Sequence, residues 1–204
     1  MSSSTKPKVM IAVPTGPGEG IHHKVMGLVC QLLLNEKRFE LNTYISCMRG
    51  IGEHRNVIVK DFLETDYDYL LMIDADNPPP VNVLDLVELD KPVIGLPTPI
   101  NMSYIQGLTE FYWNVFGEDD LPTKQAGQGL QEVHMVGSGV ILIRRDVLEA
   151  IENPFTTKRN EADLRIVGTD TAFCKRCKQN NIKIYTHWDY KCSHYKDLNL
   201  LSLI

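Results

Sequence analysis

The chain has 204 residues, of which 43% are hydrophobic and 23% charged, with a formal charge of −5. That length suits one substantial core, and no apolar run reaches the roughly 18 residues of a membrane span. The acidic balance excludes a dominant basic face for non-specific binding to nucleic acid, leaving room only for a local patch. Five cysteines, an odd number, and an N-terminal MSSSTKPK without an apolar leader predict reduced thiols and a soluble protein of the cytoplasm, with no membrane partner.

In chain order, KVMIAVP reads as a short buried strand that ends at the turn Pro14-Thr15-Gly16-Pro17-Gly18. Residues His22 to Asn35 follow with Val25, Leu28, Val29, Leu32 and Leu33 at helical spacing. A second strand over Phe39 to Ser46 leads through a glycine-containing turn into a helix over Glu53 to Glu64, with Val57, Ile58, Phe62 and Leu63 expected inward. Tyr69 to Ile73 is the third strand. This alternation predicts a single α/β domain with a mostly parallel central sheet flanked by helices, and such sheets bind ligands beyond the carboxyl ends of their strands. Val81 to Leu89 then reads as a short helix and Pro92 to Leu96 as a strand. Thr98 to Leu130 is the least regular stretch, holding the aromatics Phe111, Tyr112, Trp113 and Phe116, and is expected to be functional or mobile. Two strand-like runs surround Gly137-Ser138-Gly139. Helices near Asp146 to Ile151 and Asp170 to Gln179, and a strand at Ile182 to Tyr185, complete the pattern.

The third strand runs straight into Asp74-Ala75-Asp76. Alternate residues of an extended segment share a side, so both carboxylates can converge just beyond the sheet, where their mutual repulsion calls for a cation. Mg²⁺ and Mn²⁺ favour carboxylate oxygens and take further oxygens from phosphates. The plain alternative is that Asp76 or Asn77 caps a helix starting near Pro79.

In that context the stretch MRGIGEHRNVIVKDFLETDYDYLLMIDADNPPP resembles the donor half of family 2-like glycosyltransferases of the GT-A fold, which is Rossmann-like. GSGVILIRRDVLEAI resembles the family's acceptor-side strand and helix, and GTDTAFCKRCKQNNIKIYTHWDYKCSHY its C-terminal module. With VMIAVPTG at the start, these matches cover most of one domain: a donor half at about 8–96 and an acceptor half at about 97–204. The resemblance implies transfer of a sugar, a hexose by preference, from a nucleoside diphosphate to a hydroxyl. Asp74 and Asp76 would bind Mn²⁺ or Mg²⁺ and the sugar nucleotide, with His194 as a further metal ligand. Pro14, Thr15 and Gly16 would line the nucleotide, Arg55 would reach towards it or its phosphates, and Asp170 would be the general base of an inverting enzyme. Gly137, Ser138 and Gly139 would let the sugar approach the backbone.

Each residue also has a plainer reading. Arg55 can be a surface helix residue, Asp170 a helix N-cap, His194 an ordinary residue of the tail, and the two glycines a device for a close turn. Cys174, Cys177, Cys192 and His194 offer enough soft ligands for zinc, although Cys174 and Cys177 fall within a helical pattern instead of a tight turn. The second strand ends Tyr44-Ile45-Ser46-Cys47, without the aspartate that many family members use to read uracil, so a UDP-sugar is only favoured. The resemblance is to small stand-alone enzymes of bacteria or bacteriophages, and it leaves a soluble molecule, a protein or a hydroxymethylated pyrimidine in DNA open as the acceptor, with the acidic balance weighing against DNA. A nucleotidyltransferase and a non-catalytic sugar-nucleotide or nucleic-acid binding module are the competing classes.

Overall fold

A computed structural model describes residues 6–105, 108–157 and 168–195. The elements in chain order are β1 (Lys8–Thr15), α1 (His23–Asn35), β2 (Glu40–Cys47), α2 (Ile51–Leu63), β3 (Tyr69–Ile73), a 3-10 helix (Val83–Leu89) and β4 (Val93–Gly95). They continue with β5 (Pro99–Ile105), β6 (Leu108–Trp113), β7 (Val115–Phe116), β8 (Leu130–Val133), β9 (Met135–Val136), β10 (Val140–Arg144), α3 (Arg145–Ala150), α4 (Thr169–Gln179) and β11 (Ile184–His187).

Seven strands form the central sheet in the order β2-β1-β3-β10-β4-β11-β8. Five of them run in one direction, and β10 and β8 run against them. The strands read as unbroken apolar runs because both faces are covered. Met10, Ala12, Leu70 and Met72 point to one face, against Ile58 and Phe62 of α2, Val147 of α3 and Phe173 of α4. Val9, Ile11, Leu71 and Ile73 alternate to the other, against Val25, Leu28 and Leu32 of α1 and Leu84 and Leu86 of the 3-10 helix. Two expected inward positions differ: Leu33 and Val57 are 40% and 39% exposed. The buried stripe of α2 passes through His54, Arg55, Ile58, Val59 and Phe62, and Val57 lies a third of a turn from it.

The expected irregular region contains a hairpin, β5 with β6, and a small pair, β7 with β9. The run expected around Gly137-Ser138-Gly139 is shared among partners, since β8 joins β11, β9 joins β7, and β10 inserts between β3 and β4. β11 starts later than expected because the end of α4 continues through Asn181, at φ 56°, and Ile182 N bonds back to Cys177 O at 2.8 Å. Among the described residues no helix is long and apolar enough to cross a membrane.

Candidate active site

The carboxyl ends of β1, β2 and β3 open onto a cleft of about 1060 Å³. Its floor begins with Pro14, Thr15 and Gly16. Gly16 to Glu19 is a type II turn closed by Glu19 N to Gly16 O at 3.0 Å, with Pro17 supplying the fixed φ and Gly18 the positive one at 81°. The loop is pinned over the third strand's turn by His22 N donating to Ala75 O at 2.9 Å. This places Pro14, Thr15 and Gly16 on the same cleft as Asp74 and Asp76.

Beyond β3, Asp74 N donates to Gly139 O at 2.7 Å and Asn77 N to Asp74 O at 3.0 Å, which fixes the Asp-Ala-Asp turn. The 3-10 helix starts at Val83 with Asn82 in the N-cap position and no side-chain cap bond, so neither Asp76 nor Asn77 serves as that cap. Asn77 is buried, and its amide Nδ2 donates to Ser193 O at 3.2 Å. Cys192 N to Pro97 O, Ser193 N to Pro78 O and Tyr195 N to Asp76 O, at 2.9, 3.3 and 2.9 Å, lay residues 192–195 along the same turn. His194 thereby comes to Asp76, with Nε2 3.5 Å from Oδ2. Its Nδ1 lies 2.8 Å from Pro99 O, a contact only a protonated Nδ1 can make as donor. In the neutral ring Nε2 therefore carries the lone pair and faces the carboxylate.

Asp74 turns elsewhere. Both its oxygens accept from Arg55 Nη2, at 2.8 and 3.0 Å. Arg55 does not line the cleft as expected for a phosphate contact. It is 3% exposed and its other terminal nitrogen, Nη1, donates to Asp170 Oδ1 at 2.9 Å and to Thr169 Oγ1 at 3.1 Å. Burial works against the guanidinium charge, and the two carboxylates outweigh it, so its pKa is raised. For Asp74, burial is the largest influence and pushes the carboxyl above its ordinary value, against the pull of Arg55 and with reinforcement from Asp170 and Asp76.

Asp170 lies in the first turn of α4, where Gly168 and not Asp170 is the N-cap. Ser138 Oγ donates to the same Asp170 oxygen in a short bond. Ser138 is fully buried and is thus a partner of Asp170 instead of a wall of the cleft. The flanking glycines have packing reasons to be small. A Cβ at Gly139 would stand 2.7 Å from Asn77 Oδ1, and one at Gly137 2.7 Å from Asn114 Nδ2.

Among the described residues no three His, Cys, Asp or Glu side chains gather as an ion cage. Asp76 and His194 meet, and Asp74 is held by Arg55. The zinc alternative finds its cysteines divided: Cys174 and Cys177 pack on the α2 and α4 face of the sheet and Cys192 on the α1 face. Burial pushes the thiols of Cys174 and Cys192 up to about 12 and raises that of Cys177 as well, so all three resist the thiolate form.

Further groups at the cleft were not anticipated from sequence. His54 is 1% exposed, lies 2.6 Å by Nε2 from Ser46 Oγ, and has its pKa lowered by burial and by Arg55. His22 stacks on Tyr195 with ring centroids 3.9 Å apart at the cleft rim. His54 had a legible signal, its place on the α2 stripe one turn before Ile58. The His22 and Tyr195 pair had none, because it depends on the return of residues 192–195.

No protein-family model matches the chain, and no curated protein matches it in sequence. Solved structures do match. The crystal structure of A197 from STIV superposes with a TM-score of 0.60 at 19% identity, covering 93% of this chain and 86% of that one. GalNAc-T7, solved with UDP, GalNAc and Mn²⁺, gives 0.58 at 12% identity over 95% of this chain and 44% of its own. The inositol-1-phosphate CTP transferase from T. maritima gives 0.53 at 9% identity over 97% and 94%. The chain thus spans less than half of GalNAc-T7. Likeness at this level of identity concerns fold and not activity. The fold is GT-A, an α/β domain with a mostly parallel central sheet between helices, and the resemblance read from the motifs holds at that level.

Proposed function

We propose that the protein is a metal-dependent glycosyltransferase that moves a sugar, a hexose by preference, from a nucleoside diphosphate to an acceptor hydroxyl with inversion. The observation that carries this reading is the meeting of Asp76, which lines the cleft, with His194, whose Nε2 lies 3.5 Å from the carboxylate and whose Nδ1 is engaged by the Pro99 carbonyl. One carboxylate oxygen and one imidazole nitrogen suit Mn²⁺ better than the harder Mg²⁺, and the carbonyl behind Nδ1 is the usual outer support of a metal-binding histidine. Mn²⁺ or Mg²⁺ would be held by Asp76 and His194, the remaining positions being left for diphosphate oxygens and water. When bound, such an ion offsets the charge that grows on the departing diphosphate.

The chain's own residues supply the rest. Pro14, Thr15 and Gly16 line the cleft on its nucleotide side, and Gly139 keeps the backbone close beneath the Asp-Ala-Asp turn while Gly137 packs on Asn114. Asp170 receives the acceptor proton while the acceptor oxygen bonds to the anomeric carbon. The bond from that carbon to the diphosphate oxygen breaks, and its electron pair leaves with the diphosphate. In this reading the hairpin of β5 and β6, which starts at the Pro99 that engages His194, covers a bound donor and limits hydrolysis. A UDP-sugar is the favoured donor. The acceptor is a soluble hydroxyl compound, a protein or a hydroxymethylated pyrimidine in DNA, and the setting is the cytoplasm, that of a host cell if the protein is phage-encoded.

A panel of nucleotide sugars, assayed for release of nucleoside diphosphate with Mn²⁺, Mg²⁺ or EDTA, tests the proposal. Release of UDP or another diphosphate that EDTA abolishes is expected. The likeness to the CTP transferase favours a second reading, nucleotidyl transfer, which would instead release pyrophosphate from a nucleoside triphosphate. The segment PTGPGEGIHHK is a poor match to the glycine-rich, basic loop of that class. Binding of nucleotide sugar without turnover would indicate a non-catalytic module.

A further inference from the structure

The terminal nitrogens of Arg55 serve different carboxylates. Nη2 grips Asp74, at the end of β3, and Nη1 grips Asp170, in the first turn of α4. One guanidinium therefore spans the donor-side strand and the acceptor-side helix. On Asp170 the contacts are lopsided: Arg55 Nη1, Ser138 Oγ and Thr169 Oγ1 all fall on Oδ1. Among the described residues Oδ2 takes no hydrogen bond, and the side chain is 40% exposed.

We propose that Arg55 is a positioning residue for the transfer step, holding Asp170 by Oδ1 so that Oδ2 is the oxygen presented to the acceptor. This rests on the glycosyltransferase reading above. A planar fork is needed, because two carboxylates in different directions must be gripped at once; a lysine ammonium in that place is a point charge on a flexible stem. The neighbouring Asn56 provides the contrast. Its amide ties α2 to the loop after α3, through Phe155 N to Asn56 Oδ1 and Asn56 Nδ2 to Thr156 Oγ1, both at 2.9 Å, and it touches neither carboxylate.

The test compares Arg55→Lys, Ser138→Ala and Asn56→Ala in the full chain. Calorimetry with Mn²⁺ and UDP reads binding, and steady-state turnover of the UDP-sugar that the wild type uses fastest reads kcat and KM. Arg55→Lys is expected to lose on the order of 10²-fold in kcat, the effect of a misplaced group. Its KM and its affinity for UDP with Mn²⁺ should stay within about threefold, the pattern of an interaction made only in the transition state. Ser138→Ala removes a second donor to Oδ1 without changing a charge, and should lower kcat about tenfold at unchanged KM even if Arg55→Lys folds poorly. Asn56→Ala should melt earlier yet keep its kcat. If Arg55→Lys raises KM or weakens UDP binding at constant kcat, Arg55 is a substrate contact and the proposal is overturned. Equal losses in Arg55→Lys and Asn56→Ala would reduce it to a structural brace. A wild type that releases no nucleoside diphosphate from any sugar nucleotide defeats the glycosyltransferase reading, and the positioning role with it.

Discussion

The two halves of the sheet are built differently. In the first, β1 and β3 are continuous buried strands, each with residues alternating between two helical layers, and the loops at their ends line the cleft directly. In the second, strands of two to seven residues are divided between the central sheet and two small ones, and the residues of interest arrive by contacts made far away in sequence. Asp170 is set by Arg55 and Ser138, and His194 by backbone bonds to the Asp76 turn. A platform built from local pattern carries the Asp-Ala-Asp turn, and a set of tertiary attachments sets Asp170 and His194.

If that division is functional, variants in the two halves should fail differently. The largest effect is expected from Asp76→Ala, which removes the oxygen donor facing His194. Metal-dependent diphosphate release should fall about 10³-fold, in line with several kcal/mol of charge stabilisation. Calorimetry should show UDP binding losing its dependence on Mn²⁺; undiminished release would break the assignment of the donor side. Asp170→Asn should lower turnover by about 10²-fold, the low end of what a general base contributes, while donor affinity is kept. Loss of donor binding in that variant would erase the distinction between the halves. Gly95→Ala tests the seam where β4 meets β9. A Cβ there would stand 2.3 Å from Val136 Cγ1, so a loss of about 1–3 kcal/mol in denaturant unfolding is expected, with little change in donor affinity.

The smallest effect concerns pH. Burial and Arg55 hold His54 below its ordinary value, so the folded protein keeps the ring neutral while the unfolded chain takes up a proton in acid. The resulting stability is fully present above the unfolded value of about 6.5 and is lost as pH falls through the folded one. The stability difference between wild type and His54→Gln should therefore shrink from about pH 7.5 to about pH 5. A difference that grows in acid would show that the ring is charged in the fold.

Much of the first half was legible in the sequence because its signals are local. The strand Tyr69–Ile73 stands as read, and the helices α1 and α2 begin and end within two residues of their expected limits. Arg55 is the instructive failure. Its charge suggests the surface or a phosphate, yet it lies on the α2 stripe with Ile58, Val59 and Phe62, and helical phase alone places it inward. Charge prevailed over phase because its partners, Asp74 and Asp170, come from elsewhere in the chain. Ser138 was read as a site residue, but its partner was hidden for the same reason, since its bond to Asp170 is tertiary. In the second half, two-residue strands such as β7 and β9 leave no periodicity to read. The cysteines were legible as types but not as places, because nothing local says that Cys192 packs on the opposite face from Cys174 and Cys177.

The return of residues 192–195 to the Asp76 turn bears on biosynthesis. Ribosomes extend chains at about 5–20 residues per second, so the Asp-Ala-Asp turn leaves the ribosome on the order of ten seconds before its partner segment. During that interval the turn stands without the imidazole that the proposed metal site would use.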